Sequence, residues 1–244
     1  MKITWLGHAC FKIESMDYAV VIDPYEDNYV PGLGSIRETA NEVLVSHGHR
    51  DHNFTDAVEV TVKRPSPIVI TELEAFHDDK KGALRGRTKI HILDDGSIRA
   101  AHLGDLGCGL TAEQKEQLKG LDALMIPVGG FYTIDAVQAK AIVDELQPKV
   151  VIPMHYRSEA FGYDVLGTVD DFTELFELVV EYPGNALEVT EETAPHTAVL
   201  VLDPKWGRRK EDKKAKEKPD GSEEGERPAF ADVAGYPGRA PDYC

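Results

Sequence analysis

The segment Ser46–His52 constrains this chain more than any other part of its sequence. It follows the apolar run Val43–Val45 and places three imidazoles and one carboxylate within six residues: His47, His49, Asp51 and His52. Imidazole is the commonest metal ligand in proteins, and imidazole with carboxylate is a donor set that divalent transition metals bind. The pattern therefore predicts a buried strand with a metal-binding loop at its end.

The spacing of the donors also suggests how many ions the loop serves. Side chains alternate in an extended segment. If the loop continues the strand, His47, His49 and Asp51 lie on one side and His52 on the other, so one loop could serve two neighbouring metal ions. The alternative is an exposed polar loop, which the further donor-like residues later in the chain disfavour.

Composition limits the class of protein and its compartment. Hydrophobic residues make up 42% of the chain, enough for a core, and no run approaches the ~20 apolar residues of a membrane-spanning helix. Residues Met1–Trp5 enter a strand pattern directly, without the basic and apolar regions of a secretory signal. The three cysteines show no pairing pattern, which is typical of a reducing compartment. We expect a cytoplasmic protein without a membrane partner.

Charge is distributed unevenly. Residues 1–204 carry 34 Asp and Glu against 17 Lys and Arg. An acidic body disfavours nucleic-acid binding and favours a small-molecule substrate. A local basic run could still bind nucleic acid: Lys80, Lys81, Arg85 and Arg87.

From Lys205 the composition changes to charged residues, Gly and Pro, which cannot bury enough apolar surface to fold. We expect a folded domain over 1–204 and a disordered tail over 205–244.

Apolar patterning predicts many strands and a few helices. The predicted strands are Lys2–Leu6, Cys10–Ile13, Tyr18–Ile22, Val43–Ser46, Ile68–Thr71, Thr88–Leu93, Ile98–His102, Ala123–Pro127, Val150–Met154, Ala186–Val189 and Thr197–Leu202. The predicted helices are 112–118, Ile134–Leu146 and Val169–Val180, the last with Thr168 as its N-cap. A strand-rich half followed by alternating strands and helices indicates two sheets covered by helices.

A single loop cannot complete two metal sites, so other segments must supply ligands. Asp105 lies just beyond a predicted strand, and its two carboxylate oxygens could bridge two cations. His155 follows another predicted strand, at the end where α/β sheets build their sites. His102 and His77 are alternative candidates for the remaining ligand position. His102 lies three residues before Asp105, which puts the two on opposite sides of a regular strand. Spacing alone leaves this choice open.

The ordered set of motifs resembles the metallo-β-lactamase-fold hydrolases, in particular a small bacterial branch similar to the ascorbate-phosphate lactonase-like proteins. The resemblance runs from Met1 to about Asp203. It rests on Trp5–His8, Ile22–Pro24, Ser46–His52, Phe76–Asp79 with Arg85 and Gly86, His102–Gly107, Ile126–Asp135 and Ile152–Tyr156. It implies an α/β four-layer αββα sandwich with a dinuclear metal site in a cleft at one edge of the sheets.

The resemblance also implies how the donors divide. One ion would be held by His47, His49 and His77, and the other by Asp51, His52 and His155, with Asp105 bridging. His77 is favoured because in this family the corresponding histidine precedes the Gly-Asp motif by tens of residues, in a separate loop. His102 would then lie behind the site, and Asp23 would hydrogen-bond the histidine loop. Two divalent ions are implied, Zn²⁺ first, with Mn²⁺ or Fe²⁺ as alternatives.

Two further positions matter near this cleft. His8 borders it by resemblance, where it would contact substrate or act as an acid; a structural turn histidine is the alternative. Cys108 stands where related chains often have His, which leaves open any role for this position in catalysis or in substrate binding.

The expected function is hydrolysis of a small-molecule ester, lactone or phosphoester by a metal-activated hydroxide that Asp51 helps to orient. Three alternatives remain. A metal-binding sensor or scaffold is disfavoured by the complete donor set, and a nucleic-acid phosphodiesterase by the acidic body. A di-iron redox protein is disfavoured because related redox proteins replace one loop histidine by a carboxylate, whereas His49 is present here.

Overall fold

The computed structural model describes residues 1–61 and 64–200. One sheet has five strands in the order β13-β1-β2-β3-β5. Their ranges are β1 Lys2–Gly7, β2 Cys10–Ser15, β3 Tyr18–Ile22, β5 Glu42–Leu44 and β13 Ala186–Glu188. The strands β1, β2 and β3 form an antiparallel meander, and β5 joins β3 in parallel. Two short strands, β4 Glu38–Ala40 and β6 Val58–Val60, pair with each other in parallel.

The second sheet has seven strands in the order β12-β14-β11-β10-β9-β8-β7. Their ranges are β7 Val69–Phe76, β8 Arg87–Asp94, β9 Arg99–His102, β10 Ala123–Pro127, β11 Val150–Met154, β12 Val179–Tyr182 and β14 His196–Leu200. The strands β7, β8 and β9 are antiparallel, whereas β9, β10, β11, β14 and β12 run in parallel. As a result, the carboxyl ends of β7, β9, β10 and β11 meet at one edge of the sheet.

Three α-helices lie in the second half of the described chain: α1 Ala112–Gln117, α2 Ala136–Leu146 and α3 Asp170–Thr173. Capping boxes fix the starts of α1 and α2, in which Thr111 and Asp135 accept from the third backbone N–H of their helix. A 3₁₀ turn spans Thr55–Ala57. No helix in the described ranges is long and apolar enough to cross a membrane.

Alternation along the meander divides the apolar residues between two cores. Ile3, Trp5, Phe11 and Ile13 belong to the main core, which also takes in the second sheet and the apolar face of α2. Val21 and Cys10 belong to a smaller core beneath the segment 25–36. The inner face of the five-stranded sheet is therefore buried, whereas the smaller core covers only part of its outer face, where Lys2 and Glu14 reach the surface.

The predicted class, an α/β fold with two packed sheets, is confirmed, but one predicted helix is wrong. Only Asp170–Thr173 of Val169–Val180 is helical, and Val179 and Val180 form part of β12. These β-branched residues pair in parallel with β14, a partner that local sequence does not reveal. The end of the predicted strand Thr197–Leu202 and the tail 205–244 lie outside the described residues.

Candidate metal centre

Five segments bring donor side chains to one edge of the sandwich. They are the β1–β2 turn with His8, the loop His47–His52 after β5, and the segments after β7, β9 and β11, which carry His77, Asp105 and His155. His8, His52, His77, Asp105 and His155 are each at most 2% exposed. All seven residues expected as ligands therefore come together, with His8 beside them.

Asp105 lies at the centre of this cluster. Its Oδ2 is 3.2 Å from His52 Nε2, 3.3 Å from His77 Nε2, 3.3 Å from His155 Nε2 and 3.8 Å from His47 Nε2. The buried imidazoles outweigh the effect of burial and hold the pKa of the Asp105 carboxyl well below its usual range. Asp105 is therefore an ionised carboxylate that faces imidazoles on two sides.

The donors form two groups, and both groups contact Asp105. Within each group the candidate ligand atoms lie within 4.8 Å of one another. The first group is His47, His49 and His77; the second is His8, Asp51, His52 and His155. A third set, His47, His52 and Asp105, links the two.

Several buried polar atoms of the cluster have no hydrogen-bond partner in the described part of the chain. They are Nδ1 and Nε2 of both His8 and His155, Nε2 of His52, Nδ1 of His77 and Oδ1 of Asp105. Buried polar groups in native proteins are almost always hydrogen-bonded, because leaving one unpaired costs about 1–3 kcal/mol. A metal ion binds one nitrogen of each imidazole, and the unpaired Nε2 atoms of His52 and His155 both approach Asp105, so the residues present fit divalent cations.

Hydrogen bonds behind the loop set the tautomers of two candidate ligands. His52 Nδ1 donates to Asp23 Oδ2 at 2.9 Å, which leaves Nε2 to face Asp105. Ser46 bonds Asp23 through both its backbone N–H and its hydroxyl, each at 2.6 Å, and its Oγ lies 2.9 Å from His47 Nδ1. Burial, reinforced by His52, lowers the pKa of His47 to about 3, so its imidazole is neutral. The structure thus brings Asp23 to the histidine loop rather than into the donor groups.

The loop does not continue the strand, so the expectation from simple alternation is wrong. A turn forms where His52 N donates to His49 O at 3.0 Å. It carries Asp51 away from His47 and His49 and places it beside His52 in the second group.

His77 is held by a loop that a single aspartate organises. Asp78 accepts from the backbone N–H groups of Lys80, Gly82, Leu84 and Arg85 at 2.7–3.0 Å. Gly107 packs against this loop, and a Cβ at Gly107 would lie 2.3 Å from the carbonyl carbon of His77. Sequence reasoning missed this role of Asp78, although an Asp that opens a Gly-containing loop is a turn signal.

His102 lies outside both donor groups. Its Nε2 bonds the Ala9 carbonyl at 2.8 Å, and its Nδ1 accepts from Gly104 N at 3.1 Å. Both ring nitrogens are therefore used by backbone groups that flank His8 and Asp105, and the ring braces the two loops without bonding a candidate ligand's side chain.

Aromatic side chains border the cluster. The Tyr163 ring lies edge-on to His8 with 5.8 Å between centroids, and it contacts both Tyr29 and Tyr132. Burial and the nearby Asp51 raise the pKa of Tyr163, so its phenol is protonated. The Arg85 guanidinium lies 5.5 Å from the centre of the Tyr132 ring. Sequence reasoning gave no signal for Tyr163, which lies in a loop without a motif.

Two packed mixed sheets with an imidazole–carboxylate cluster at their edge define a metal-dependent hydrolase of the metallo-β-lactamase fold. The chain belongs to the β-lactamase superfamily, because residues 2–155 match the family described as the β-lactamase superfamily domain. The match ends at His155, the last of the candidate ligands.

Curated proteins and solved structures agree with this assignment. A UPF0173 protein of Pyrococcus furiosus is 31% identical over 182 residues, which cover 64% of this chain and 83% of the relative. A UPF0173 metal-dependent hydrolase of Archaeoglobus fulgidus is 29% identical over 196 residues, covering 65% of this chain and 84% of the relative. A Thermotoga maritima structure, assigned as a Zn-dependent hydrolase of the metallo-β-lactamase superfamily, has 34% identity and a TM-score of 0.67. That likeness covers 83% of this chain and 99% of the other.

Proposed function

We propose that this chain binds two divalent metal ions and hydrolyses a small-molecule ester, lactone or phosphoester. The observation that carries the proposal is the position of Asp105, whose Oδ2 lies within 3.8 Å of imidazole nitrogens from both donor groups. A carboxylate flanked by two such groups suits a bridge between two cations.

The residues divide between the ions as the two groups do. His47, His49 and His77 would hold one ion; Asp51, His52 and His155 would hold the other, with Asp105 shared. Imidazole and carboxylate donors suit Zn²⁺ first, and Mn²⁺ or Fe²⁺ as alternatives. When bound, such ions would lower the pKa of a water towards neutrality and would stabilise negative charge on the attacked oxygen.

The protein's own groups position the reaction. The Asp51 carboxylate is the more accessible acid of the cluster, with 16% of its side chain exposed against 3% for Asp105. Neighbouring imidazoles overcome the effect of burial and keep the pKa of Asp51 below its usual range, so it can accept a hydrogen bond from an attacking water. The protonated phenol of Tyr163 donates to the Tyr29 carbonyl at 3.4 Å, and at the border of the cluster it could donate to a substrate oxygen instead.

The surroundings of the cluster support a small substrate. The basic run noted in the sequence is not a continuous cationic surface, because Lys80 pairs with Asp79 and Arg87 with Glu74. Arg85 forms no ion pair among the described residues and lies against Tyr132 at the border of the cluster. One guanidinium beside aromatic rings fits an anionic group on a small molecule better than it fits a nucleic-acid backbone, which needs many phosphate contacts.

Metal analysis and a substrate panel test this proposal. Protein loaded with Zn²⁺ or Mn²⁺ and freed of excess metal should retain two equivalents, and fewer than one would contradict the dinuclear site. The panel would contain lactones, p-nitrophenyl esters, bis(p-nitrophenyl) phosphate and single-stranded RNA. Turnover of the small substrates alone supports the proposal. Turnover of RNA alone indicates a nucleic-acid phosphodiesterase, and inactivity on all four by a two-metal protein indicates a binding role.

Two matched arginine variants test whether Arg85 binds an anionic group of the substrate. Arg85→Gln should raise KM for an anionic substrate by about 10-fold or more, the loss of one charge-assisted hydrogen bond. Arg87→Gln, in the same segment but paired with Glu74, should leave KM unchanged. Equal KM values in the two variants would exclude Arg85 from substrate binding.

A further inference from the structure

His8 is the buried residue of the cluster whose position the proposed ligand sets leave unexplained. It occupies the β1–β2 turn in the left-handed backbone region, with φ of 53°. Its carbonyl accepts from Trp5 Nε1 at 2.9 Å and from His155 N at 3.2 Å. Non-glycine residues adopt this conformation at a cost and persist in it where the surroundings fix them, often at functional sites.

The His8 ring faces the second donor group. Its centroid lies 4.1 Å from the His155 ring and 5.4 Å from the His52 ring, and Nε2 is 3.4 Å from Asp51 Oδ2. A ligand nitrogen of His8 lies within 4.8 Å of the candidate ligand atoms of Asp51, His52 and His155.

Neither ring nitrogen of His8 has a hydrogen-bond partner among the described residues, and the side chain has no exposed surface. His91 is also buried with both ring nitrogens unbonded, but it joins no donor group. His8 differs because its ring lies among the candidate ligand atoms of Asp51, His52 and His155.

We propose that His8 is a protein ligand of the second ion, together with Asp51, His52 and His155. This inference rests on the proposed dinuclear site and extends it. With Asp105 shared, the second position has five protein donors, whereas the first has four: His47, His49, His77 and Asp105. The second position would therefore take a divalent cation that accepts more than the four protein donors of a structural zinc site.

Two substitutions separate a metal ligand from a residue that positions Asp51. His8→Ala removes the imidazole. His8→Gln keeps a side-chain N–H that can bond Asp51 but removes the aromatic nitrogen donor. His91→Gln is the matched control, because His91 is also 0% exposed with both ring nitrogens unbonded, yet it belongs to none of the donor groups.

The readout is metal binding by the full chain. Metal-free protein is titrated with Mn²⁺ and, separately, with Zn²⁺ by calorimetry, and bound metal is counted by elemental analysis after dialysis. Wild type and His91→Gln should bind two equivalents. Both His8 variants should keep the first equivalent and bind the second about 100-fold or more weakly, since even residues behind a ligand cost 10–100-fold in metal affinity.

Each other outcome overturns the inference. A second equivalent of wild-type affinity in His8→Ala shows that His8 is no ligand. If His8→Gln restores the affinity that His8→Ala loses, His8 acts by positioning Asp51. If the wild-type protein binds only one equivalent, the dinuclear proposal fails and this inference fails with it. If the wild type binds two equivalents, a negative result with the His8 variants contradicts only the inference about His8. Circular dichroism identifies a variant that fails to fold, and His8→Gln, which keeps more of the side-chain volume, then decides the question.

Discussion

Replacing Asp23 by Asn should weaken metal binding without changing any metal ligand. Asp23 is 0% exposed and accepts three short hydrogen bonds, two from Ser46 and one from His52 Nδ1. An Asn has one acceptor and one donor in the same space. If its oxygen keeps the Ser46 N–H, its NH₂ faces His52 Nδ1, and the imidazole proton must move to Nε2. That nitrogen faces Asp105 at 3.2 Å, and once protonated it cannot bind a metal.

The magnitude follows from the bonds that are lost. One or two charge-assisted hydrogen bonds at about 1.5–3 kcal/mol each predict that metal-free Asp23→Asn is about 1.5–6 kcal/mol less stable. Loss of the partner that orients a ligand predicts a second metal equivalent about 10–100-fold weaker, or roughly 1.4–2.7 kcal/mol. Urea denaturation of the metal-free protein and calorimetric titration with Zn²⁺ measure the two quantities.

Asp95→Asn provides the matched control. Asp95 is also buried and accepts three hydrogen bonds, from Ser15 Oγ at 2.6 Å, Ile98 N at 2.8 Å and Ser97 N at 3.0 Å, but it lies in the β8–β9 turn. This variant should lose a similar stability and keep both metal equivalents. If Asp23→Asn binds both metal equivalents with the affinities of Asp95→Asn, Asp23 does not set the tautomer of His52.

Three further predictions concern the supports of the cluster. In metal titrations, His77→Ala should lose an equivalent, whereas His102→Ala should keep both and lose about 2–6 kcal/mol in urea denaturation, because it leaves two backbone groups unpaired; equal metal loss in the two would contradict this assignment. Gly107→Ala should weaken metal binding and destabilise the fold by about 1–3 kcal/mol, since its Cβ would lie 2.3 Å from backbone of His77; wild-type affinity would show that the loop yields freely. Burial raises the pKa of Asp95, but hydrogen bonds from Ser15 and the backbone outweigh it and lower the net value. Its stabilisation should therefore be complete above the ordinary Asp pKa of about 4 and fall on acidification, so the difference in unfolding free energy between wild type and Asp95→Asn should shrink at acid pH.

Sequence could predict which residues approach the site, because donors that follow strands share an edge when those strands end together. The predicted strands before His47, Asp105 and His155 end in the structure at residues 44, 102 and 154, within a few residues of these donors. His77 needed a family resemblance, because β7 continues to Phe76, five residues beyond the predicted strand end.

Other features depend on contacts that no local pattern contains. The turn between His49 and His52 changed the side on which Asp51 lies, and it follows from how the loop packs, not from alternation. The position of His8 follows from a hydrogen bond to His155, 147 residues away in the chain. The predicted helix does not extend to Val179 and Val180, because these residues pair with β14, and pairing between distant strands overrides weak local preference.

Several of the acidic residues accept hydrogen bonds that hold loops in place. Asp23, Asp78 and Asp95 each accept three or four hydrogen bonds, most of them from loop backbone N–H groups, and Asp122 accepts one more from Arg99 N. An ionised carboxylate offers up to four acceptor positions and no donor, so it suits a loop whose N–H groups converge. Two of these aspartates hold the loops that carry His52 and His77. Part of the negative charge therefore fixes the donor geometry itself, and neutralising those aspartates should disturb the cluster before it disturbs the apolar core.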